Sequence, residues 1–122
     1  MHRVLVLLVV GLAVSPAFAQ DAVKVDPNHY KVEFENDQVR VLRVTYGPHE
    51  KSVMHEHPAS VAIFLTDASV KFTLPDGKSQ EETGKVGQAR YSEAGKHLPE
   101  NLLAKPMAVI VVELKGKPSK GK

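Results

Sequence analysis

The chain contains no cysteine and no tryptophan, and its aromatic residues are three tyrosines and four phenylalanines among 122 positions. Without thiols there can be neither a disulfide nor a thiolate metal site, so any bound metal must rest on nitrogen and oxygen. The stability of so small a domain must then come from its core or from an oligomer interface. No segment carries apolar residues at helical spacing, which excludes a helical bundle. Basic residues are scattered through the domain and aromatics are sparse, which excludes the footprint of a nucleic-acid binder. No internal repeat interrupts the pattern, and no low-complexity stretch appears before the closing KGKPSKGK.

What is present begins with one apolar run. Val4–Val14 follows a short basic start and precedes Ala17-Phe18-Ala19, the order of a secretory signal peptide cleaved after Ala19. A membrane-spanning helix needs about 20 apolar residues, which this run lacks. The expected organisation is a signal peptide over residues 1–19, one domain over 20–114 and a basic, disordered tail over 115–122. The mature protein is then expected in the periplasm or secreted, with no membrane insertion after cleavage. Setting Arg3 aside leaves 15 basic and 14 acidic residues. Lys115, Lys117, Lys120 and Lys122 lie in the tail, so Gln20–Leu114 holds 11 basic against 14 acidic residues. The tail is basic and the domain mildly acidic.

Within the domain the apolar residues alternate, the period of half-buried strands. Strands are expected near residues 30–34, 39–46, 52–57, 61–66, 70–74, 79–83, 87–92 and 107–114. Turn-forming residues separate them, among them Glu35-Asn36-Asp37, Gly47-Pro48, Asp67-Ala68 and Ala94-Gly95. In Leu74-Pro75-Asp76-Gly77, proline presets one backbone angle and glycine can take a positive φ, so the flanking strands should form an antiparallel hairpin. Val39 and Val41 share one parity while Leu42, Val44 and Tyr46 share the other. Either the buried face switches at a bulge or both faces are covered. Ala108–Val112 is apolar on both parities and suits the middle of a sheet. Many short strands without a helix imply an all-β sandwich or small β-barrel.

The chemistry concentrates in Val53-Met54-His55-Glu56-His57-Pro58. In an extended strand, His55 and His57 point to the same face about 6.6 Å apart, close enough to share an ion. Val53 shares their parity, while Glu56 points away. The bland alternative is a pair of histidines at a solvated strand end. His97, in a turn-rich stretch before the last strand, is the downstream candidate for a third ligand. His49 has the parity of His55 but lies toward the mouth, and His29 reads as a surface residue.

Gly47, His55-x-His57, Gly87 and Gly95-x-His97-x-x-x-Asn101 together resemble the two motifs of the cupin superfamily, over most of the mature chain, roughly Val39–Leu114. The resemblance implies a small single-domain cupin with a jelly roll of double-stranded β-helix type. It departs in register: Gly47 falls two residues early, Ala68 replaces a glycine, Glu93 replaces a proline, and His97 follows Gly95 one residue early. The family's glutamate ligand is also missing, since Val61 and Ala62 occupy its two allowed positions. What the resemblance then implies is a three-histidine site of His55, His57 and His97 for a divalent metal ion. Iron or zinc is favoured, with copper, manganese and nickel as other candidates.

Two functional classes follow. One is a metal-dependent oxygenase, isomerase or lyase acting on a small, anionic substrate, because three neutral ligands leave the ion's charge uncompensated. The other is a non-catalytic module binding a metal or small ligand. Glu93, Glu100, Tyr46 and Tyr91 are the candidate acids and bases, with solvated turns and packing as their ordinary roles. Arg40, Arg43 and Arg90 are candidates for an acidic substrate or for salt bridges. Met54 and Met107 are thioether candidates. Asn101 reads as a structural turn residue. A homodimer is the expected partner arrangement besides a small-molecule ligand.

Overall fold

In the computed structural model, which describes Gln20–Gly116, the alternating segments become nine strands preceded by one short helix. The expected signal peptide, and all of the expected tail beyond Gly116, lie outside the described residues. The elements are α1 (Ala22–Val25), β1 (Tyr30–Glu35), β2 (Val39–Tyr46), β3 (His55–His57), β4 (Ser60–Phe64), β5 (Ala68–Thr73), β6 (Ser79–Gly84), β7 (Ala89–Ser92), β8 (Gly95–Asn101) and β9 (Met107–Leu114). Five form one antiparallel sheet in the order β1-β2-β9-β4-β7, and four form a second in the order β3-β8-β5-β6. The sheets do not join into a closed barrel, and the arrangement is that of a double-stranded β-helix.

The core lies between the sheets. Leu42, Val44 and Tyr46 of β2, Met107 and Val109 of β9, and Phe64 of β4 are buried, with Ala68 and Val70 of β5 opposite them. Burying each large aliphatic side chain contributes roughly 1.5–3 kcal/mol. Gly84 lets the second sheet close on Phe64, because a Cβ there would stand 2.6 Å from the ring. The expected hairpin forms between β5 and β6, with Gly77 at φ 88° and its N–H donating to the Leu74 carbonyl at 2.9 Å.

The parity conflict in β2 has a simple outcome. Its pairing with β9 runs unbroken from Val39↔Leu114 to Tyr46↔Met107, so the buried face does not switch within the strand. The bulge sits in the neighbour, between Val32 and Phe34 of β1. Val39 and Val41 therefore point to the outer face of the sheet, and β9, apolar on both sides, is its middle strand.

Two expectations fail for linked reasons. The strand expected over residues 52–57 is regular only at His55–His57, and Val53 is exposed rather than inward. Lys51 pairs with Glu100 but His55 with His97, so the histidine-bearing chain carries one extra residue between these pairs. That bulge turns Val53 outward. The stretch Gly95–Asn101, expected as a turn, is strand β8. Pro99 ordinarily argues against an interior strand because it lacks a donor, but it sits beside the bulged stretch, where the ladder is already interrupted and its carbonyl accepts from Ser52 N–H at 2.9 Å.

Candidate metal centre

Strands β3 and β8 assemble the histidines by register. His55 and His97 are direct cross-strand partners, so their side chains share a face, and His57 lies two residues along on the same face. The ring centroids are 4.8 Å apart for His55 and His57, 4.9 Å for His55 and His97, and 5.3 Å for His57 and His97. One ring nitrogen from each lies within 4.8 Å of the others, so the group could hold a metal ion. Three nitrogens sharing one ion at about 2.1 Å stand about 3.0–3.6 Å apart, so binding asks each side chain to move by up to about one ångström.

The surrounding hydrogen bonds decide which nitrogens face inward. His55 Nδ1 donates to the Val53 carbonyl at 2.8 Å, the group that the bulge presents. His57 Nδ1 donates to Glu113 Oε2 at 2.6 Å. With Nδ1 protonated, each ring keeps its lone pair on Nε2. The Nε2 atoms of His55 and His97 are buried without a hydrogen-bond partner among the described residues. Leaving a buried polar atom unsatisfied costs about 1–3 kcal/mol, and an ion would satisfy both at once. Burial, with the neighbouring His57 charge as the next cause, pushes the pKa of His55 down to about 4. Burial, then His57 and His55, pushes that of His97 down to about 3. Both are therefore neutral at pH 7. Phe72 stacks on His97 at 4.9 Å and fixes its plane.

Behind the histidines lies a buried polar frame. Glu113 is 2% exposed and bonds His57 on one side and Arg40 Nε, at 2.7 Å, on the other. Arg40 also donates to both carboxylate oxygens of Asp21, likewise 2% exposed. Burial opposes the charge of Arg40, and its bonds to Asp21 and Glu113 outweigh that and raise its pKa. Behind His55, Ser52 Oγ lies 3.2 Å from Nδ1 and donates to Asp26. Asp26 in turn meets His29 Nδ1 at 2.8 Å, and His29 Nε2 meets Glu50 at 3.1 Å. His29 stacks on Tyr46 at 4.4 Å, so it is a half-buried part of this frame rather than a surface residue.

His57 and His97 open into a cavity of about 290 Å³ between the sheets, with His55 fully buried behind them. Its walls include Val44, Ala62, Phe64, Met107, Val109 and Val111, and its rim carries Arg90, Glu82, Glu93 and Lys96. Tyr30 and Tyr46 also line it, their hydroxyls 2.6 Å apart. Burial raises both phenol pKa values, so both stay protonated. Arg90 holds its guanidinium 5.3 Å from the Phe64 ring centroid while donating to Glu82 at 3.1 Å.

Other candidates fall elsewhere. His49 is exposed at φ 58°, outside the cluster. Asn101, 1% exposed, donates to the Gly47 and Lys105 carbonyls at 2.9 and 2.8 Å and ties two loops together. Arg43 pairs with Glu33 on the surface, and Tyr91 is exposed beside Glu93. Glu56 and Glu100 are outside the histidine group, and Met107, not Met54, lines the cavity. Of the residues standing in for the missing glutamate, Ala62 lines the cavity, while Val61 lies on the sheet's outer face. Sequence reasoning missed Glu113, although a charge at the inward parity of Met107, Val109 and Val111 was the signal for it, as was Arg40 at the parity of Leu42.

No family model matches the chain, and no curated protein does. Solved structures do match its fold. A cupin domain from Bordetella pertussis Tohama I superposes with a TM-score of 0.67 at 20% identity, over 71% of this chain and 92% of that one. The fold is that of a small cupin domain. An RmlC-like cupin protein with a double-stranded β-helix from Methanocaldococcus jannaschii gives a TM-score of 0.56 at 16% identity, covering 70% of this chain and 77% of that one. The polyketide cyclase RemF from Streptomyces resistomycificus gives 0.53 at 18% identity, over 74% and 66%. The carboxylate nearest the cluster is Glu113, one hydrogen bond behind His57, so the group that could hold an ion is made of three imidazoles.

Proposed function

We propose that this cupin domain binds one divalent metal ion through Nε2 of His55, His57 and His97 and acts as an enzyme on a small, mostly apolar substrate with an anionic group. The observation that carries the reading is the pair of buried, unpartnered Nε2 atoms of His55 and His97, gathered with His57 beside a cavity large enough for a small molecule. The bound ion, with iron or zinc first among candidates and copper, manganese or nickel after them, supplies Lewis acidity to a substrate oxygen or to dioxygen, the chemistry of an isomerase, lyase or oxygenase.

The chain's own residues supply the rest. Neutral ligands leave positive charge at the cavity floor, which favours an anionic group there. Val44, Val109 and Val111 exclude water around the substrate body. Tyr30 and Tyr46 share one hydrogen bond between their hydroxyls, and the one that accepts keeps its own proton to donate to a substrate oxygen. Lys96 draws an anion to the mouth, where Arg90 is tied to Glu82. The polyketide cyclase among the structural neighbours is an enzyme of the same fold, which supports a catalytic reading. A non-catalytic binding module is the second reading, favoured by the engagement of the rim carboxylates Glu82 with Arg90 and Glu93 with Tyr91. The proposed location is the periplasm or the exterior, on the strength of the leader over residues 1–19.

The test is elemental analysis after reconstitution with each of the five metals. One ion per chain is expected, lost in His57→Ala and in His97→Ala. A chain that takes up no stoichiometric metal from any of them refutes the site, and full affinity in His97→Ala refutes the third ligand.

A further inference from the structure

The short segment ahead of β1 is fastened behind the histidines at both of its ends. The Gln20 carbonyl accepts from the Glu56 N–H at 3.0 Å, and Asp21 pairs with Glu56 in a parallel bridge, so the chain runs beside the residue that separates His55 from His57. At the other end Asp26 accepts from Ser52 Oγ, which stands 3.2 Å from His55 Nδ1. Asp21 occupies the N-cap position of α1, where an aspartate ordinarily accepts from a helix N–H and contributes about 1 kcal/mol. Its side chain makes no such bond. Both of its oxygens are given to Arg40 instead.

That arrangement decides how Arg40 meets Glu113. Both contacts of Arg40 with Glu113 fall on Oε1, from Nε and from Nη2 at 2.7 Å each. Oε2 accepts from His57 Nδ1 at 2.6 Å. A guanidinium facing a carboxylate often takes the two-pronged arrangement, with one N–H on each oxygen. Asp21 holds Nη2 through Oδ1 and Nη1 through Oδ2, the latter at 3.2 Å, and so keeps the second prong off Oε2. We infer that Asp21 is a positioning residue for His57, acting through Arg40 and Glu113 to reserve one carboxylate oxygen for the imidazole. The segment before β1 is then part of the metal site, although none of its residues belongs to the three-histidine group. Without the Asp21 charge, Nη2 loses its acceptor and turns to Oε2, where it competes with His57 Nδ1. An imidazole deprived of that acceptor is free to rotate and to carry its proton on Nε2, the nitrogen assigned to the ion. The role rests on the three-histidine reading above, whereas the hydrogen bond to His57 is measurable in the metal-free protein.

The test compares wild type with Asp21→Asn, which keeps the side chain's shape and removes its charge, with Glu113→Gln, and with the double variant, each checked for folding by far-UV circular dichroism. In 15N-labelled, metal-free protein the ring nitrogen shifts of His57, assigned by their loss in His57→Ala, should report the proton on Nδ1 in wild type and a share on Nε2 in Asp21→Asn. Zinc affinity, read by competition with a chelating dye, should fall about tenfold in Asp21→Asn with stoichiometry kept. Adding Asp21→Asn to Glu113→Gln should change affinity by less than about twofold, because both substitutions act on one bond. Arg40→Lys keeps the charge but has one nitrogen for two partners; it should show the same loss, and it decides the matter if Asp21→Asn misfolds. Unchanged ring shifts, wild-type affinity in Asp21→Asn, or losses that add in the double variant would each overturn the inference and leave Asp21 an anchor of its own segment. A wild type that takes up no metal refutes the three-histidine site instead, and the ring shifts then decide the positioning role by themselves.

Discussion

The metal-free protein should lose much of its stability between pH 7.5 and pH 5, and the structure says how much. His55 and His97 are held neutral by burial, with folded pKa values near 4 and 3 against 6.5 in the unfolded chain. A depressed histidine pKa means that the unfolded state takes up the proton first. The associated stability is therefore complete above pH 6.5 and drains as pH falls through 6.5 toward the folded values. At pH 5 each histidine is almost fully protonated when unfolded and almost unprotonated when folded, which costs about 2 kcal/mol per group and about 4 kcal/mol for the two. Against a total of about 5–15 kcal/mol for a domain of this kind, that is a large share, and it should lower Tm by more than about 15 °C. The assay is urea unfolding of chelator-treated protein at both pH values, with His97→Gln as control. Removing that imidazole should roughly halve the pH dependence. A metal-free protein with the same unfolding free energy at pH 7.5 and 5 would refute the idea that these imidazoles are buried and neutral.

Other outcomes follow from the same geometry. Glu113→Gln removes the charged acceptor behind His57 and should weaken metal affinity by about 10–100-fold, read by competition with a chelating dye. Asn101→Ala leaves the Gly47 and Lys105 carbonyls without their donor and should cost about 2–4 kcal/mol in urea unfolding without changing metal stoichiometry. Gly84→Ala drives a methyl to 2.6 Å from the Phe64 ring and should destabilise by about 1–3 kcal/mol, an effect that Phe64→Leu should partly relieve in the double variant. Saturating metal at 100 times its Kd should raise the unfolding free energy by about 2.7 kcal/mol, and His57→Ala should abolish the increment.

Much of this was legible because strand geometry has a period of two. The hairpin at Leu74–Gly77, the central place of β9 and the shared face of His55 and His57 all follow from alternation and turn chemistry. Alternation fails where the ladder does. The bulge between the Lys51 and His55 pairings reverses Val53, and nothing in Ser52-Val53-Met54 marks it, because its cause is the partner strand. The same interruption hides β8, whose glycine and proline read as a turn until a neighbour that needs no proline donor is laid beside them. Two-sided apolarity in β2 and β9 was visible, but whether a bulge or a second layer explained it depended on pairings about 70 residues apart. Glu113 and Arg40 stood at inward parities in apolar strands, so their burial could be anticipated, whereas their link to His57 could not.

The frame behind His57 also sets a schedule. Asp21 comes from the first described residues, Arg40 from β2 and Glu113 from the end of β9, and their bonds close loops of 19 and 73 residues around the domain. The β2 pairing with β9 closes over a similar span, so the sheet that carries Glu113 is assembled from non-local contacts that form slowly. A nascent chain ending before Met107 already holds all three imidazoles yet lacks the carboxylate that orients one of them. The hydrogen bond that fixes the ring of His57 therefore waits for β9, the last strand of the described residues.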